Sequence, residues 1–372
     1  MTSLPKISNV DENNNTLVFT LSDINISYAN AIRRVLLSDI PCLVFKTSPY
    51  DENNVNILIN KSRLNNELIK QRISSIPIHK NNIDEFEYQN YMVELDKIND
   101  TNTIIYATTE DLKVKNIELK KYLDSSEVKQ LFPPDPITGD YIDIVRLRPK
   151  LTDNSECEHI KLEASLTISN AKDDGTFNVV STCSYGNTLD PIKIKDEWAL
   201  KEETLKNKVS KDELEFIKKD WMLLNAKRLF IADSYDFIIE TLGIYTNYEL
   251  VNMATSIIIK KLYMTLESFK NNNDLIEDSI DTLDNSYIIK LINEDYTIGK
   301  IIEYCLYNKY FNEEKLLNYV GFLKKHPHDT FSIIKISLKK LTSKDEILIM
   351  IEECVNSSIL ILNSIKEYFS EK

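Results

Sequence analysis

Asn30-Ala31-Ile32-Arg33-Arg34-Val35-Leu36-Leu37-Ser38-Asp39-Ile40-Pro41 is a short run with two chemical characters. With Ser27 as N-cap and roughly 100° per residue, Tyr28, Ala31, Ile32, Val35 and Leu36 fall on one arc, with Asn30, Arg33, Arg34 and Leu37 opposite. Pro41 lacks the amide a helix needs, so the spacing predicts a helix that stops before it. Such a helix packs one face against a neighbour and keeps its guanidinium groups on the other. Just ahead of it, Thr16-Leu17-Val18-Phe19-Thr20-Leu21 alternates as a strand after a polar turn at 11–15.

Downstream, Cys42-Leu43-Val44-Phe45 and Val55-Asn56-Ile57-Leu58-Ile59 read as strands, and Asn65 to Ser75 as a short helix before Ile76-Pro77-Ile78. Between Asn81 and about Asn187 the composition turns to short β-like runs, with turns at Pro133-Pro134-Asp135-Pro136 and Asp173-Asp174-Gly175. Residues 196–225, with Glu197, Glu202, Glu203, Lys206 and Lys208, read as a solvated, charge-paired helix. Tyr235 to Gly243 reads as a strand, followed by a long helix that opens on Thr246-Asn247-Tyr248-Glu249 and runs to about Phe269.

The opening plan then recurs. After a polar linker at Asn271-Asn272-Asn273-Asp274, Ile288 to Ile292 is a strand and Thr297 a candidate N-cap. The next helix places Ile298, Ile301, Ile302, Cys305 and Leu306 on one arc. A shift of 270 positions carries these onto Tyr28, Ala31, Ile32, Val35 and Leu36, and Thr297 onto Ser27. Lys300, Glu303 and Tyr304 stand where the first copy has Asn30, Arg33 and Arg34, so the arginine pair is not repeated. A last helix opens at Ser343 with Glu346, and its apolar side is marked by Ile347, Ile351, Cys354, Val355, Leu362 and Ile365.

The run at 30–41 closely resembles the signature helix of the α-like assembly subunits of multisubunit RNA polymerase. Gln71-Arg72-Ile73-Ser74-Ser75-Ile76-Pro77-Ile78 resembles the segment leading into that family's inserted domain. Asp143 to Pro149, Ile160 to Ala164 and Ser181 to Tyr185 resemble the strands that close the insert. Asn293-Glu294-Asp295-Tyr296-Thr297-Ile298-Gly299 resembles the Asn-Glu-Asp-His-Thr-Leu-Gly signature of the family's smaller partner subunit. Gly321 to Pro327 is similar to that subunit's Gly-Tyr-x-x-x-His-Pro turn. The order is that of both subunits joined in one chain, an arrangement seen in some large DNA viruses.

The resemblance implies an α+β fold: two α-like dimerisation modules, each an antiparallel sheet with helices, forming an intramolecular pseudo-dimer with a β-rich domain inserted in the first. The expected boundaries are 1–80 and 188–270 for the first module, 81–187 for the insert, 271–284 for a linker and 285–372 for the second module. The pseudo-dimer interface would be the two apolar arcs: Tyr28, Ala31, Ile32, Val35 and Leu36 against Ile298, Ile301, Ile302, Cys305 and Leu306. Partner docking would fall to Asn30, Arg33, Arg34, Asp39 and Arg72. The implied function is a non-catalytic scaffold. Its partners would be the second-largest polymerase subunit at the first half, the largest at the second, and small zinc-bearing subunits. The alternative is a stand-alone protein-binding module of the same fold outside polymerase.

Composition bounds the other readings. A net charge of −13 argues against a surface that embraces DNA throughout, so DNA and RNA are expected only indirectly, although local basic patches stay open. The five cysteines are scattered and odd in number, which argues against a disulfide framework; the family's cysteine cluster is missing, so no cofactor or metal is expected in this chain. The six glycines form no phosphate-binding loop, and His326-Pro327-His328-Asp329 reads as a turn. Apolar runs such as Ile257-Ile258-Ile259 are interrupted by lysines, and Met1 to Lys6 has no signal core, so a soluble intracellular protein without a membrane span is expected, in virion or host cytoplasm if viral.

Overall fold

The computed structural model describes residues 4–83, 85–150, 156–206, 209–279 and 283–370. Strands β1 (Lys6–Asn13) and β2 (Thr16–Ser22) form a hairpin that leads into α1 (Ile26–Ser38). Then come β3 (Cys42–Val44), β4 (Val55–Asn60), α2 (Asn66–Ser74), β5 (Tyr91–Asn99), β6 (Ile105–Thr108), β7 (Lys113–Asn116), β8 (Lys121–Tyr122), α3 (Ser125–Leu131), β9 (Asp143–Leu147), β10 (Glu158–Ser165) and β11 (Thr167–Ser169). Next are β12 (Val180–Leu189), α4 (Pro191–Leu205), α5 (Lys211–Leu223), β13 (Phe230–Thr241) and α6 (Asn247–Asn271). The chain closes with β14 (Ile276–Asp278), β15 (Ser286–Ile292), α7 (Tyr296–Leu306), β16 (Leu317–Leu323), β17 (Phe331–Leu338) and α8 (Lys344–Ser370), with a π-helical turn at Tyr307–Glu313. The fold is α+β with antiparallel sheets, as the sequence implied.

Two compact units emerge, one of residues 1–36, 182–240 and 247–372, the other of 37–181 and 241–246. The first holds two four-stranded antiparallel sheets, ordered β1-β2-β13-β12 and β14-β15-β17-β16. Strand alternation sends Leu17, Phe19 and Leu21 inward, where Phe19 stacks on Phe237 at 5.1 Å and meets the edge of Phe369 from α8. Helices α6 and α8 run antiparallel: Asn252 bonds Ser370 at one end of the pair, and Lys270 bonds Glu352 at the other. Their apolar residues recur at helical spacing, Leu250, Ala254, Ile258 and Leu262 on α6 and Ile347, Ile351, Val355, Leu362 and Ile365 on α8, and all are buried. By length and composition α8 could cross a membrane, contrary to the reading that no segment comes near that threshold; here its apolar side is taken up by protein.

The second unit is a five-stranded sheet ordered β4-β10-β5-β7-β8 with the small pairs β3/β11 and β6/β9. This unit is wider than the insert expected at 81–187, because β4 pairs with β10 and β3 with β11, which ties residues 42–60 to it.

Three local expectations are corrected. The stretch at 271–284 is not all linker: Ile276 is buried and pairs with Ile289, so β14 extends the second sheet, while 280–282 lie outside the described residues. The charged region at 196–225 is two helices, α4 and α5, joined through Trp198 and Trp221, whose rings lie 5.4 Å apart in a small core with Ala226; Lys208 lies outside the described residues. The helix starts also shift. Asn25 Oδ1, not Ser27, accepts the Ser27 amide at the head of α1, and Asp295, not Thr297, caps α7 by accepting the Thr297 amide, each at 2.9 Å. Both corrections move two residues in the same direction, so the caps stay 270 positions apart.

Candidate protein-docking and pairing surfaces

All ten residues of the two apolar arcs are buried except Cys305, which is partly so. The arcs meet the rest of the first unit through polar contacts of unusual specificity. Tyr28, 1% exposed, places its hydroxyl 3.0 Å from Ser358 Oγ of α8 and 3.1 Å from Cys305 Sγ of α7. Ser358 in turn donates to the Cys354 carbonyl at 2.7 Å. A buried hydroxyl without partners is costly, so this hydrogen-bonded triangle fixes how α1 sits against α7 and α8. Burial, reinforced by the neighbouring Cys305 thiol, pushes the Tyr28 hydroxyl well above the usual tyrosine range.

The two arginines divide. Arg34 points to the second half, where Nη2 lies 2.6 Å from Asp295 Oδ2 and Nε donates to Thr297 Oγ1 at 2.9 Å. Its partners are thus the first residues of α7. Tyr304, 270 positions after Arg34, leans back on the start of α1 and meets Tyr28 edge-on, with ring centroids 6.2 Å apart. Arg33, half-buried like Arg34, instead bonds within α1, donating to Asn30 Oδ1 from Nε at 3.2 Å and from Nη2 at 3.0 Å. Its charge also reaches Cys183 and Tyr185 on β12: burial lifts both above their usual values, Cys183 to about 12, and the guanidinium moderates that rise.

Of the residues assigned to docking, Asn30 and Arg33 are therefore brought together, and Arg34 is committed to the intramolecular contact. Helical projection could not separate the arginines, because the i and i+1 positions lie on either side of the polar arc and the partner of each is set by the opposing element. Asp39 and Arg72 fall in the other compact unit, where Ser38 Oγ donates to Asp39 Oδ1 and Arg72 Nη2 donates to the Asp143 carbonyl at 2.7 Å.

The motif at 293–299 owes its glycine to packing. A Cβ on Gly299 would stand 2.0 Å from the Phe322 ring of β16, so this helix position has to be bare for Phe322 to lie on α7. Phe322 also meets the edge of Tyr296, and its amide donates to Glu303, which pairs with Lys300. Here lies the counterpart of the Asn30 and Arg33 face, built from an aromatic pair and an internal ion pair in place of a guanidinium. Sequence reasoning missed Ser358 and Phe322 as determinants. The 270-residue shift does lead to Asp295 once Asn25 is recognised as a cap.

No group of three or more His, Cys, Asp or Glu side chains is gathered for a metal among the described residues. His159 Nε2 lies 2.7 Å from Asp96 Oδ1, which holds that carboxylate below its usual range together with Lys161, and the nearby Cys157 makes no third member of such a group.

Comparison with known proteins gives these surfaces a context. A family model described as the RNA polymerase Rpb3/Rpb11 dimerisation domain matches residues 18–262. The chain is similar to the DNA-directed RNA polymerase II subunit rpb3 of Dictyostelium discoideum, 33% identical over 88 residues, 24% of this chain and 27% of that one. It is 28% identical over 192 residues to subunit rpac1 of RNA polymerases I and III from the same organism, covering 44% of this chain and 51% of that one. Subunit Rpo3 of Pyrococcus horikoshii is 25% identical over 276 residues, covering 69% of this chain and 94% of its own length. The chain thus spans about a quarter to a half of the two Dictyostelium relatives and nearly all of the archaeal one.

Proposed function

Because the chain belongs to the family of the RNA polymerase Rpb3/Rpb11 dimerisation domain, we propose that it is a non-catalytic assembly subunit of a DNA-directed RNA polymerase whose two α-like modules pair within one polypeptide. The observation that carries this reading is the reciprocity of two contacts. Arg34 of α1 reaches the first residues of α7, and Tyr304, its equivalent 270 positions on, reaches Tyr28 at the start of α1. A two-fold pair makes each contact twice with the roles exchanged. A covalent link would replace bimolecular pairing by an intramolecular step at high effective concentration.

In this reading the Asn30 and Arg33 face docks the second-largest subunit, where a guanidinium can bind carboxylate or carbonyl oxygens, with Asp39 and Arg72 as further docking residues. The second half meets the largest subunit. Small zinc-bearing subunits join them, and catalysis belongs to those partners, so the chain itself holds neither metal nor cofactor and has no active site. The setting we propose is a polymerase encoded by a large DNA virus, in virion or host cytoplasm.

The test is a tagged pull-down from the native source with wild type and Arg33→Glu, identifying partners by mass spectrometry. Recovery of both large subunits, with the second-largest depleted at least tenfold by the charge reversal, supports the scaffold and its docking face. A folded wild-type chain that brings down neither large subunit overturns it in favour of a stand-alone binding module.

A further inference from the structure

The acidic chain contains one strongly basic element. Residues 315–344, which carry the hairpin of β16 and β17 with its flanks, hold seven lysines and a single acidic residue, Asp329, against a net charge of −13 for the whole. Lys324 and Lys325 occupy the turn together with exposed His326 and His328, whose rings lie 5.1 Å apart. Lys315, Lys339 and Lys340 are exposed at the open end, where the Lys339 amide donates to the Leu316 carbonyl and closes the hairpin. Seven strand residues at about 3.3 Å each separate the two ends by roughly 23 Å.

Between them lies an aromatic platform. Strand alternation sends Phe322 toward α7 and Tyr319, Gly321 and Leu323 to the opposite face, where Tyr319 is 44% exposed. A Cβ on Gly321 would stand 2.3 Å from the Tyr319 hydroxyl and 2.8 Å from the ring carbon bearing it, so the tyrosine lies along the strand over the bare glycine. Lys335 is the cross-strand neighbour of Gly321 on the same face. The far edge of the sheet is different in charge: Glu277 and Asp278 sit on β14, and Glu277 pairs with Lys290.

We propose that the outer face of this hairpin binds single-stranded nucleic acid, with lysines at both ends taking phosphates and the Tyr319 ring stacking on a base. An acidic peptide would use the lysines alone. A tyrosine laid open beside them favours a ligand with aromatic faces, and base stacking on such rings needs no sequence preference. The proposal goes beyond the scaffold reading, in which nucleic acid is reached only through the complex, and does not depend on it.

Fluorescence anisotropy of the full chain with labelled dT20 and rU20 across a salt series tests it, with polyglutamate as competitor and circular dichroism to check folding. Binding should weaken steeply with salt. The double variant K324Q/K325Q should lower the salt slope by about 1.4, since each phosphate contact on a single strand contributes about 0.7. Tyr319→Ala should weaken binding about tenfold and leave the slope unchanged. The dT20 and rU20 arms tell DNA from RNA. Absence of oligonucleotide binding at low salt overturns the proposal. So does binding that neither variant alters, or binding insensitive to Tyr319→Ala that polyglutamate competes away.

Discussion

Arg34 Nη2 sits 2.6 Å from Asp295 Oδ2, an ion pair that joins the middle of the first amphipathic helix to the residue that caps the second. Asp295 therefore serves two elements at once, accepting the Thr297 amide through one oxygen and the guanidinium through the other. Both partners are about one-third exposed, so solvent screens the pair, and a coupling of about 1 kcal/mol is the expected scale. A double-mutant cycle of Arg34→Gln and Asp295→Asn, read by urea unfolding, measures it, because Asn keeps the cap while removing the charge. A coupling near zero would mean that the contact positions nothing.

Tyr28→Phe removes one hydroxyl and its contacts with Ser358 and Cys305, which still meet each other at 3.3 Å while Ser358 keeps the Cys354 carbonyl. The expected loss is about 1 kcal/mol, the net contribution of a hydrogen bond whose partners stay satisfied elsewhere. Adding Ser358→Ala should cost more, since Cys305 then loses its contact with Ser358 as well. Urea midpoints of the two variants decide the matter.

Gly299→Ala should destabilise by about 1–3 kcal/mol through overpacking against Phe322. The companion variant Gly299→Ala/Phe322→Leu should lose less than the sum of its two single changes. Thermal unfolding of all three proteins gives the comparison; strict additivity would show that the ring and the glycine do not meet.

Alkaline pH should weaken the fold. Burial raises the Cys42 and Cys183 thiols from about 9 to about 12, and Tyr28 shifts in the same direction. Each is an acid that keeps its proton longer when folded. Between those values the unfolded chain binds fewer protons than the native one, so stability falls as pH rises from about 9 towards 12, and is fully present below 9. Urea midpoints taken from pH 7 to pH 11 should fall beyond about 9, and Cys42→Ala/Cys183→Ala should flatten the slope by roughly 1 kcal/mol per pH unit for each thiol.

The two tryptophans of the chain both sit in the α4 and α5 hairpin, so tryptophan fluorescence reports on that element alone. Trp221→Ala opens its small core at a cost of about 3 kcal/mol or more. Trp198 emission should then shift to the red while far-ultraviolet dichroism retains most of its native amplitude. Global loss of dichroism would show that the hairpin is integral to the fold rather than appended to it.

The periodic parts of this chain were legible because burial on one face leaves a mark every three to four residues. The arcs of α1 and α7, the strands before them and the apolar sides of α6 and α8 all follow from that spacing. The hairpin of α4 and α5 was not legible as two packed helices, since its charges mask a core of only a few residues. The caps were misplaced by two residues because the Asn25 amide and Asp295 carboxylate compete with the Ser27 and Thr297 hydroxyls as acceptors, and only the backbone conformation selects between them.

Sequence by itself determined that two copies of a strand and amphipathic helix lie 270 positions apart, because hydrophobic phase is a property of the chain alone. Tertiary structure decided which arginine reached across to the cap of α7 and which bonded within α1, as well as which serine received the Tyr28 hydroxyl. Those outcomes depend on what each side chain meets across the gap between elements, and distances of 2.6 to 3.1 Å between residues more than 250 positions apart are set only when the helices pack.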